Sequence, residues 1–200
     1  MVRGVVLFPG AGSSADHSSL VNIERVLHPL PVMRVDFPYR RAGRRAPDRA
    51  PMLVRAVRDA VAEACRQWTC TPAELVIGGR SMGGRMCSLA VAGFDGNDRA
   101  TQPADVALRV AGLVCVSYPL HPPAQPQKLR TAHFARLTVP SLFISGTKDD
   151  FGTPEEIRHH LAVLPTEPDL HFVEGGRHDL RGKDAVVAGL VAAWLRGLRI

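Results

Sequence analysis

Long apolar stretches, cysteines and lysines are scarce in this sequence, and each scarcity excludes a class of protein. No run approaches the roughly 20 apolar residues that a transmembrane helix needs, and the first run, Val5–Phe8, is too short for a secretory signal. The cysteines form no C-x-x-C pair, and no cysteine and histidine have the spacing of zinc ligands. They are Cys65, Cys70, Cys87 and Cys115. We therefore expect a cytoplasmic protein with reduced cysteines that has no membrane segment, metal or cofactor.

Because lysine is rare, arginine carries most of the positive charge. The formal net charge is +6, and the lysines are Lys128, Lys148 and Lys183. The densest arginine cluster lies between Phe37 and Ala50. It consists of Arg40, Arg41, Arg44, Arg45 and Arg49. Such a cluster is typical either of a solvated loop or of a site for an anionic substrate or nucleic acid. Tyr39 is its only aromatic neighbour, which argues against single-stranded nucleic acid as a partner.

The apolar pattern alternates between strand and helix periods along the chain. Runs of strand length lie at Gly4–Phe8, Pro31–Phe37, Glu74–Ile77, Gly112–Ser117, Ser141–Ser145 and Leu170–Val173. Helical patterns lie at Ser18–Leu27, Ala50–Trp68, Met82–Ala92, Pro154–Leu164 and Asp184–Leu198. The strand runs are nearly all apolar, as in a parallel sheet that is covered on both faces. We therefore predict one domain over residues 1–200, an α/β fold with a doubly wound, mostly parallel sheet of about six strands and helices on both faces.

The segment Gly79-Arg80-Ser81-Met82-Gly83 lies between a predicted strand and a predicted helix. G-x-S-x-G in this position is the nucleophile-elbow signature of α/β-hydrolases, in which a sharp turn exposes the serine above the sheet. The glycines leave room for that turn against the strand and helix behind it. The alternative is a glycine-rich turn that only allows close packing of helix and sheet.

An acidic residue and a histidine follow later strands, in the order that a hydrolase triad requires. Asp149 comes just after the fifth predicted strand, and His178 just after the sixth. Because parallel strands end at one edge of the sheet, both side chains are expected near Ser81. We predict that Ser81 is the nucleophile, that His178 is its base and that Asp149 orients the histidine. Asp150 is the alternative acid.

Other residues at the same edge are candidates for binding the substrate. The backbone N–H groups of Ala11 and Met82 are predicted to bind the oxyanion that develops during acyl transfer. Gly12, Tyr39, Arg40 and His121 are the candidate pocket residues. For His121, a surface position remains the alternative. The irregular stretch of residues 118–139 is too short for a large lid, so the pocket is expected to be shallow.

The first loop also matches a different signature. Gly10-x-Gly12-x-x-Ala15 follows a strand and precedes a helix, and Asp36 ends the second predicted strand. This is the pattern of a dinucleotide-binding turn, with the acidic residue that would bind a ribose slightly later than usual. A hydrolase uses a glycine-rich turn at the same place for its oxyanion hole. The dinucleotide interpretation leaves the positions of Ser81, Asp149 and His178 without a function.

Longer motifs identify a family. They are Gly79-Arg80-Ser81-Met82-Gly83-Gly84-Arg85, Asp36-Phe37-Pro38-Tyr39, Tyr118-Pro119-Leu120-His121-Pro122-Pro123 and Gly146-Thr147-Lys148-Asp149. Together they resemble the α/β-hydrolase-like family that contains a testis-expressed protein and a regulatory subunit of the NSL histone-acetyltransferase complex. The chain is also similar to dienelactone hydrolases, which have cysteine where this chain has Ser81. The resemblance implies an α/β-hydrolase core, and supports the triad of Ser81, Asp149 and His178.

These observations together predict a serine hydrolase that cleaves small ester or thioester substrates through an acyl-enzyme. The expected partner is a small molecule, with no membrane and no nucleic acid, and the sequence does not specify an oligomeric state. The alternative from another class is a catalytically silent member that binds a partner protein, because the chromatin-associated relatives look like scaffolds.

Overall fold

The computed structural model describes residues 1–96 and 106–198, and its centre is a sheet of six strands. The strands are β1 (Gly4–Phe8), β2 (Val32–Arg34), β3 (Leu75–Arg80), β4 (Gly112–Val116), β5 (Ser141–Gly146) and β6 (Asp169–Val173). All neighbouring pairs are parallel, in the order β2-β1-β3-β4-β5-β6. This confirms the predicted doubly wound sheet. The chain turns back at β1, so that β1 and β3 lie side by side.

Helices cover both faces of the sheet. They are α1 (Ser18–Leu27), α2 (Pro38–Arg41), α3 (Ala50–Trp68), α4 (Met82–Ala92), α5 (Pro154–Leu161) and α6 (Asp184–Gly197), with short 3₁₀ helices at Pro72–Glu74 and Phe134–Arg136. Helices α1 and α6 pack together on one face, and α3 and α4 pack together on the other. The layers follow from β1, whose side chains alternate between the faces: Val5 and Leu7 point to one core, and Val6 and Phe8 to the other.

The two edge strands differ from the predicted pattern. β2 is shorter than the apolar run Pro31–Phe37, and its residues are only half-buried. β6 alternates between exposed and more buried positions instead of being buried throughout. Both are edge strands, which have a partner on one side only, so the expectation of complete burial holds for the central strands alone.

The stretch between β4 and β5 packs into the core. Tyr118, Leu120 and Phe134 are almost fully buried there, and the rings of Tyr118 and Phe134 contact each other and Phe143 of β5. This agrees with the prediction that the stretch does not form a large lid. In the part of the chain that the structure describes, no helix is long and apolar enough to cross a membrane.

Candidate active site

Ser81 lies in the turn that joins β3 to α4. Its φ of 50° and ψ of −116° are strained for a residue with a side chain. The neighbouring strand holds this conformation, because the Ser81 N–H donates to the Val116 carbonyl at 2.8 Å. The turn has the strained strand-to-helix geometry of a nucleophile elbow, which keeps the hydroxyl exposed above the sheet edge.

The flanking glycines are required by contacts with β1. A Cβ on Gly79 would lie 2.1 Å from the Phe8 carbonyl oxygen, and a Cβ on Gly83 would lie 2.3 Å from the same atom. Real Cβ atoms do not approach a carbonyl oxygen this closely. The glycines of the motif are therefore explained by one neighbouring carbonyl group, and any larger residue would push the elbow away from β1.

A chain of hydrogen bonds runs from Ser81 through a histidine to a carboxylate. Ser81 Oγ is 2.8 Å from His178 Nε2, and His178 Nδ1 is 2.9 Å and 3.0 Å from the two carboxylate oxygens of Asp149. The sequence separation of Ser81 and His178 is 97 residues. The fold thus brings together the three residues that the sequence placed after separate strands.

The buried carboxylate next to His178 is Asp149 rather than Asp150. The Asp149 side chain has no exposed surface, whereas Asp150 is exposed. The N–H of Phe151 donates to Asp149 Oδ1 at 2.9 Å, and the Ser145 hydroxyl is 3.4 Å from Oδ2. These contacts satisfy a carboxylate that would otherwise be costly to bury. They fix its orientation toward the imidazole.

The His178 ring is positioned by a stacking contact on its face in addition to the hydrogen bonds of its two nitrogens. The Phe151 ring stacks on His178 with 3.8 Å between the ring centroids and 25° between the ring planes. With Nδ1 bonded to a buried carboxylate, Nε2 is left to accept the proton of the Ser81 hydroxyl. The arrangement can therefore remove a proton from Ser81 and return it to a nearby group.

The loop after β1 lies opposite the elbow and is anchored by two side chains. The Tyr39 hydroxyl donates to the Ala11 carbonyl at 2.8 Å, and Asp36 Oδ1 accepts from the Ala15 N–H at 2.8 Å. Tyr39 is fully buried, and burial raises the pKa of its phenol. This hydrogen bond fixes the orientation of the Ala11 carbonyl, and Tyr39 lies in the core beneath the surface.

The contacts of Asp36 also bear on the dinucleotide interpretation. Its carboxylate accepts from the Ala15 N–H and is directed at the loop after β1. Helix α1 begins only at Ser18, three residues after Ala15, with His17 as its N-cap. The turn therefore does not lead directly into a helix N-terminus, which is where a dinucleotide pyrophosphate binds.

A cavity of about 380 Å³ opens above Ser81 and His178. It is lined by Gly10, Ala11, Gly12, Arg80, Ser81, Met82, Arg85, Pro119, Arg130, Phe151 and His178. Of the predicted pocket residues, Gly12 lines the cavity, as do the oxyanion candidates Ala11 and Met82. Met82 is the first residue of α4, so its N–H lies at the helix end where amides lack partners within the helix.

Three predicted pocket residues lie elsewhere. Tyr39 is in the core, and Arg40, on α2, is not among the lining residues. His121 is buried, with Nδ1 2.8 Å from the Pro122 carbonyl and Nε2 3.5 Å from a Glu156 carboxylate oxygen. These residues were predicted to line the pocket because each follows a strand of the sheet. That rule gives the sheet edge where a residue lies, but not whether its side chain reaches the cavity.

The arginines around the cavity were not among the predicted site residues. Arg80 and Arg85 lie in the G-R-S-M-G-G-R segment itself, where the sequence carried a signal. Arg130 comes from the irregular stretch after β4, where no pattern indicates its position. The Arg40–Arg49 cluster lies outside the cavity; Arg44 pairs there with Asp48 at 2.7 Å.

A second serine and histidine pair has the same Oγ–Nε2 distance as Ser81 and His178 but lies in different surroundings. Ser88 Oγ is 2.8 Å from His133 Nε2, and both side chains are buried. Burial lowers the pKa of His133 to about 3, so this imidazole stays neutral. Ser88 also donates to the Arg85 carbonyl at 2.8 Å. This pair is a core contact and is sealed from substrate.

A larger depression lies away from this edge of the sheet. It has a volume of about 670 Å³ and is lined mostly by apolar residues of the N-terminus, α1 and α6, such as Val26, Leu30 and Leu195. It contains no nucleophile with an adjacent base. The smaller cavity above Ser81 is therefore the candidate active site.

Comparison with known proteins supports this assignment of the fold. A family model described as an alpha/beta hydrolase domain matches residues 2–189. A dienelactone hydrolase from Anabaena variabilis is 20% identical, with a TM-score of 0.70 over 99% of this chain and 88% of that one. An alpha-beta serine hydrolase homologue from Coxiella burnetii is 17% identical, with a TM-score of 0.69 over 96% and 85%. An α/β serine hydrolase without a lid from Xanthomonas campestris is 17% identical, with a TM-score of 0.70 over 98% and 83%. At these identities the solved structures establish the fold, and the family model, which covers most of the chain, establishes that this protein belongs to the α/β hydrolase domain family.

Proposed function

We propose that this protein is a serine hydrolase that cleaves small ester or thioester substrates through an acyl-enzyme. The observation that carries the proposal is the hydrogen-bonded chain Ser81–His178–Asp149, with the serine on a strained turn at the floor of an open cavity. A serine hydroxyl is a weak nucleophile until a base removes its proton, and His178 is in position to do so.

The proposed reaction has two halves. Ser81 Oγ attacks the substrate carbonyl carbon while His178 Nε2 takes the hydroxyl proton, and Asp149 stabilises the resulting imidazolium. The N–H groups of Ala11 and Met82 bind the oxyanion of the tetrahedral intermediate. His178 then protonates the departing alcohol or thiol. Water repeats the sequence on the acyl-enzyme, which releases the acid and regenerates Ser81.

Labelling with a fluorophosphonate, followed by mapping of the modified residue, tests the proposal. We expect selective modification of Ser81 in the native protein. The rival function is a catalytically silent member that binds a partner protein, as the resemblance to the NSL-complex regulatory subunit suggests. A silent protein would be labelled no faster than the same protein after heat denaturation, and that result would exclude the hydrolase.

We place this activity in the cytoplasm. All four cysteines are free in the structure, and the fully buried Cys87 and Cys115 lie within α4 and β4. Free cysteines are typical of a reducing compartment.

The open cavity predicts a preference for short acyl chains. Among the described residues, the stretch between β4 and β5 contributes only Pro119 and Arg130 to the cavity lining, so it does not cover the cavity as a lid would. Full burial of each added methylene would contribute ~0.8 kcal/mol, or roughly fourfold in affinity, but an open cavity gains little of this. We expect kcat/KM on p-nitrophenyl esters to peak between acetate and butyrate.

The series from acetate to palmitate, measured below the micelle-forming concentration of each ester, checks this expectation. A steady rise in kcat/KM from butyrate to palmitate would contradict it. Such a rise would mean that part of the chain closes over a long acyl group during the reaction.

Tyr39 should act on the rate through the oxyanion loop. Tyr39→Phe removes the hydroxyl that holds the Ala11 carbonyl, so the Ala11 N–H is less firmly aimed at the oxyanion. A lost hydrogen bond of ~1 kcal/mol corresponds to about a fivefold decrease in kcat. KM should change by less than about twofold, because the oxyanion forms only in the transition state.

Tyr118→Phe is the matched control for Tyr39→Phe. Tyr118 is also almost fully buried and donates to a backbone carbonyl, that of Arg130, at 2.7 Å. With a neutral ester, both variants should lose similar stability, but only Tyr39→Phe should lower kcat. Equal losses of kcat in the two variants would show that Tyr39 has only a general structural role.

A further inference from the structure

Arg80, the residue before the nucleophile, is buried although it carries a charge. Only 9% of the residue is exposed, and its Nη2 donates to the His178 carbonyl at 3.2 Å. Arg80 is the last residue of β3, so this contact links the strand that leads into the elbow to the loop that carries the base. The two residues are 98 positions apart in the sequence. The contact therefore joins two parts of the site that only the folded chain brings together.

The loop after β6 consists of two parts that are held differently. Its first part is tied to the end of β5, because the Gly176 carbonyl accepts from the Lys148 N–H at 2.8 Å. In its second part, residues 177–179, the backbone makes one hydrogen bond to another element among the described residues, and the donor is Arg80. Arg80 is thus the hydrogen-bond link between the His178 backbone and the sheet.

The guanidinium of Arg80 has a poor environment for a charge. Its Nε–H is buried and has no acceptor among the described residues. Burial lowers the pKa of Arg80, and the carboxylates of Asp179, Asp149 and Asp184 only partly oppose this effect. Removal of a charged N–H from water without a partner destabilises the folded state. The burial of Arg80 is therefore explained by what its side chain holds and not by a gain in stability.

The loop after β1 leaves the Arg80 guanidinium little freedom. A Cβ added to Gly10 would lie 3.2 Å from Arg80 Nη1 and 3.5 Å from Ser81 Cβ. The guanidinium is therefore confined between the loop that is proposed to bind the oxyanion and the loop that carries His178. Because this group is planar and rigid, it fixes the spacing of the two loops better than a flexible side chain would.

We propose that Arg80 is a positioning residue, which holds the His178 carbonyl and thereby keeps the imidazole within hydrogen-bonding distance of Ser81. This inference rests on the proposed function. Asp149 and Phe151 fix the ring of His178, and Arg80 fixes the backbone from which that ring extends. Proton transfer from Ser81 requires a distance of about 2.6–3.2 Å between the two heavy atoms. Loss of the backbone contact should therefore slow the chemical step without weakening substrate binding.

Arg80→Met removes the charge and the donor but keeps a long side chain. We expect kcat on p-nitrophenyl acetate to decrease about ten- to a hundredfold, the range that corresponds to one hydrogen bond from a charged donor. KM should change by less than about twofold, because Arg80 acts through the base. The melting temperature should decrease by no more than about 2 °C, or increase, because methionine buries no charge and needs no acceptor.

Two further variants separate positioning from a general effect of the substitution. Arg80→Lys keeps a charged donor and should retain more of kcat than Arg80→Met does. Arg66→Met is the matched control, since the Arg66 side chain is 68% exposed on α3, and it should leave kcat and KM unchanged. An increase in KM at unchanged kcat in Arg80→Met would mean that Arg80 binds the substrate instead. A lower melting temperature at unchanged kcat would mean that its role is only structural, and either result would overturn the inference.

Crystal structures of the unaltered protein and of Arg80→Met give a readout that does not depend on turnover. In the variant, the His178 ring should be displaced from Ser81 or occupy more than one position. An unchanged distance between His178 Nε2 and Ser81 Oγ, with an equally ordered ring, would refute the inference. If the unaltered protein hydrolyses no ester and Ser81 is never labelled, the proposed hydrolase function fails. The two structures then still decide whether Arg80 positions the imidazole.

Discussion

Replacing Ser81 by alanine should lower kcat on small esters by about 10⁵–10⁶-fold and abolish fluorophosphonate labelling. The expected loss is this large because Ser81 is the only group at the cavity floor, among the described residues, that combines a hydroxyl with an adjacent base. The remaining activity would come from the oxyanion-binding amides acting on water. Single-turnover hydrolysis of p-nitrophenyl acetate, alongside labelling, measures both effects. The fold should persist, since among the described residues the Ser81 hydroxyl is hydrogen-bonded only to His178.

The second serine and histidine pair supplies the control for this experiment. Ser88→Ala breaks a serine–histidine contact of the same 2.8 Å length, but in the core and without a neighbouring carboxylate on its histidine. This variant should lose stability yet keep labelling at Ser81. Retained esterase activity in Ser81→Ala, or labelling that moves to another serine, would contradict the assignment of the nucleophile.

Replacing Asp149 by asparagine should lower kcat by about 10³–10⁴-fold. The carboxylate accepts from His178 Nδ1, and in the proposed mechanism it stabilises the imidazolium that forms when Ser81 loses its proton. An amide in its place favours the tautomer with the proton on Nε2, and that tautomer is unable to accept the Ser81 proton. KM should change little, because Asp149 lies behind the histidine and outside the cavity lining.

Asp150→Asn tests the same question at the neighbouring position. Asp150 is exposed, so its charge is solvated and its replacement should change kcat by less than about twofold. Circular dichroism of both variants would show whether the buried Asp149 is also needed for folding, since it accepts the Phe151 N–H. A larger loss of kcat in Asp150→Asn than in Asp149→Asn would move the role of the acid to Asp150.

The sequence predicted the secondary structure well where local patterns decide it. The bounds of β1, α1, α3 and α4 agree with the structure, because each combines a clear apolar period with a break at its ends. β3 continues through Gly78 and Gly79, which as glycines resembled the end of a strand. They remain in the strand because the neighbouring strands approach too closely for any Cβ. Helix α2 was missed, since four residues are too few to show a period.

For the candidate site, the chain order of Ser81, Asp149 and His178 was informative because every strand of a parallel sheet ends at the same edge. The choice between Asp149 and Asp150 depends on the burial of the carboxylate and on its hydrogen bond with His178, and no local sequence pattern encodes either. The same holds for Arg130, whose approach to the cavity results from the packing of Tyr118 and Phe134. Tyr39 was predicted to line the pocket, but it is buried in the core and donates to the Ala11 carbonyl.

Under the proposed function, the contacts of the Phe8 carbonyl would make the reactivity of Ser81 a reporter of the folded state. This one oxygen abuts both Gly79 and Gly83, so the elbow takes its strained shape only when β1 has docked beside β3. His178 is 97 residues further along the chain and follows β6, which is an edge strand of the sheet. A nascent or partly unfolded chain therefore carries Ser81 as an ordinary hydroxyl. The initial rate of labelling in increasing urea counts native molecules directly, without a spectroscopic probe.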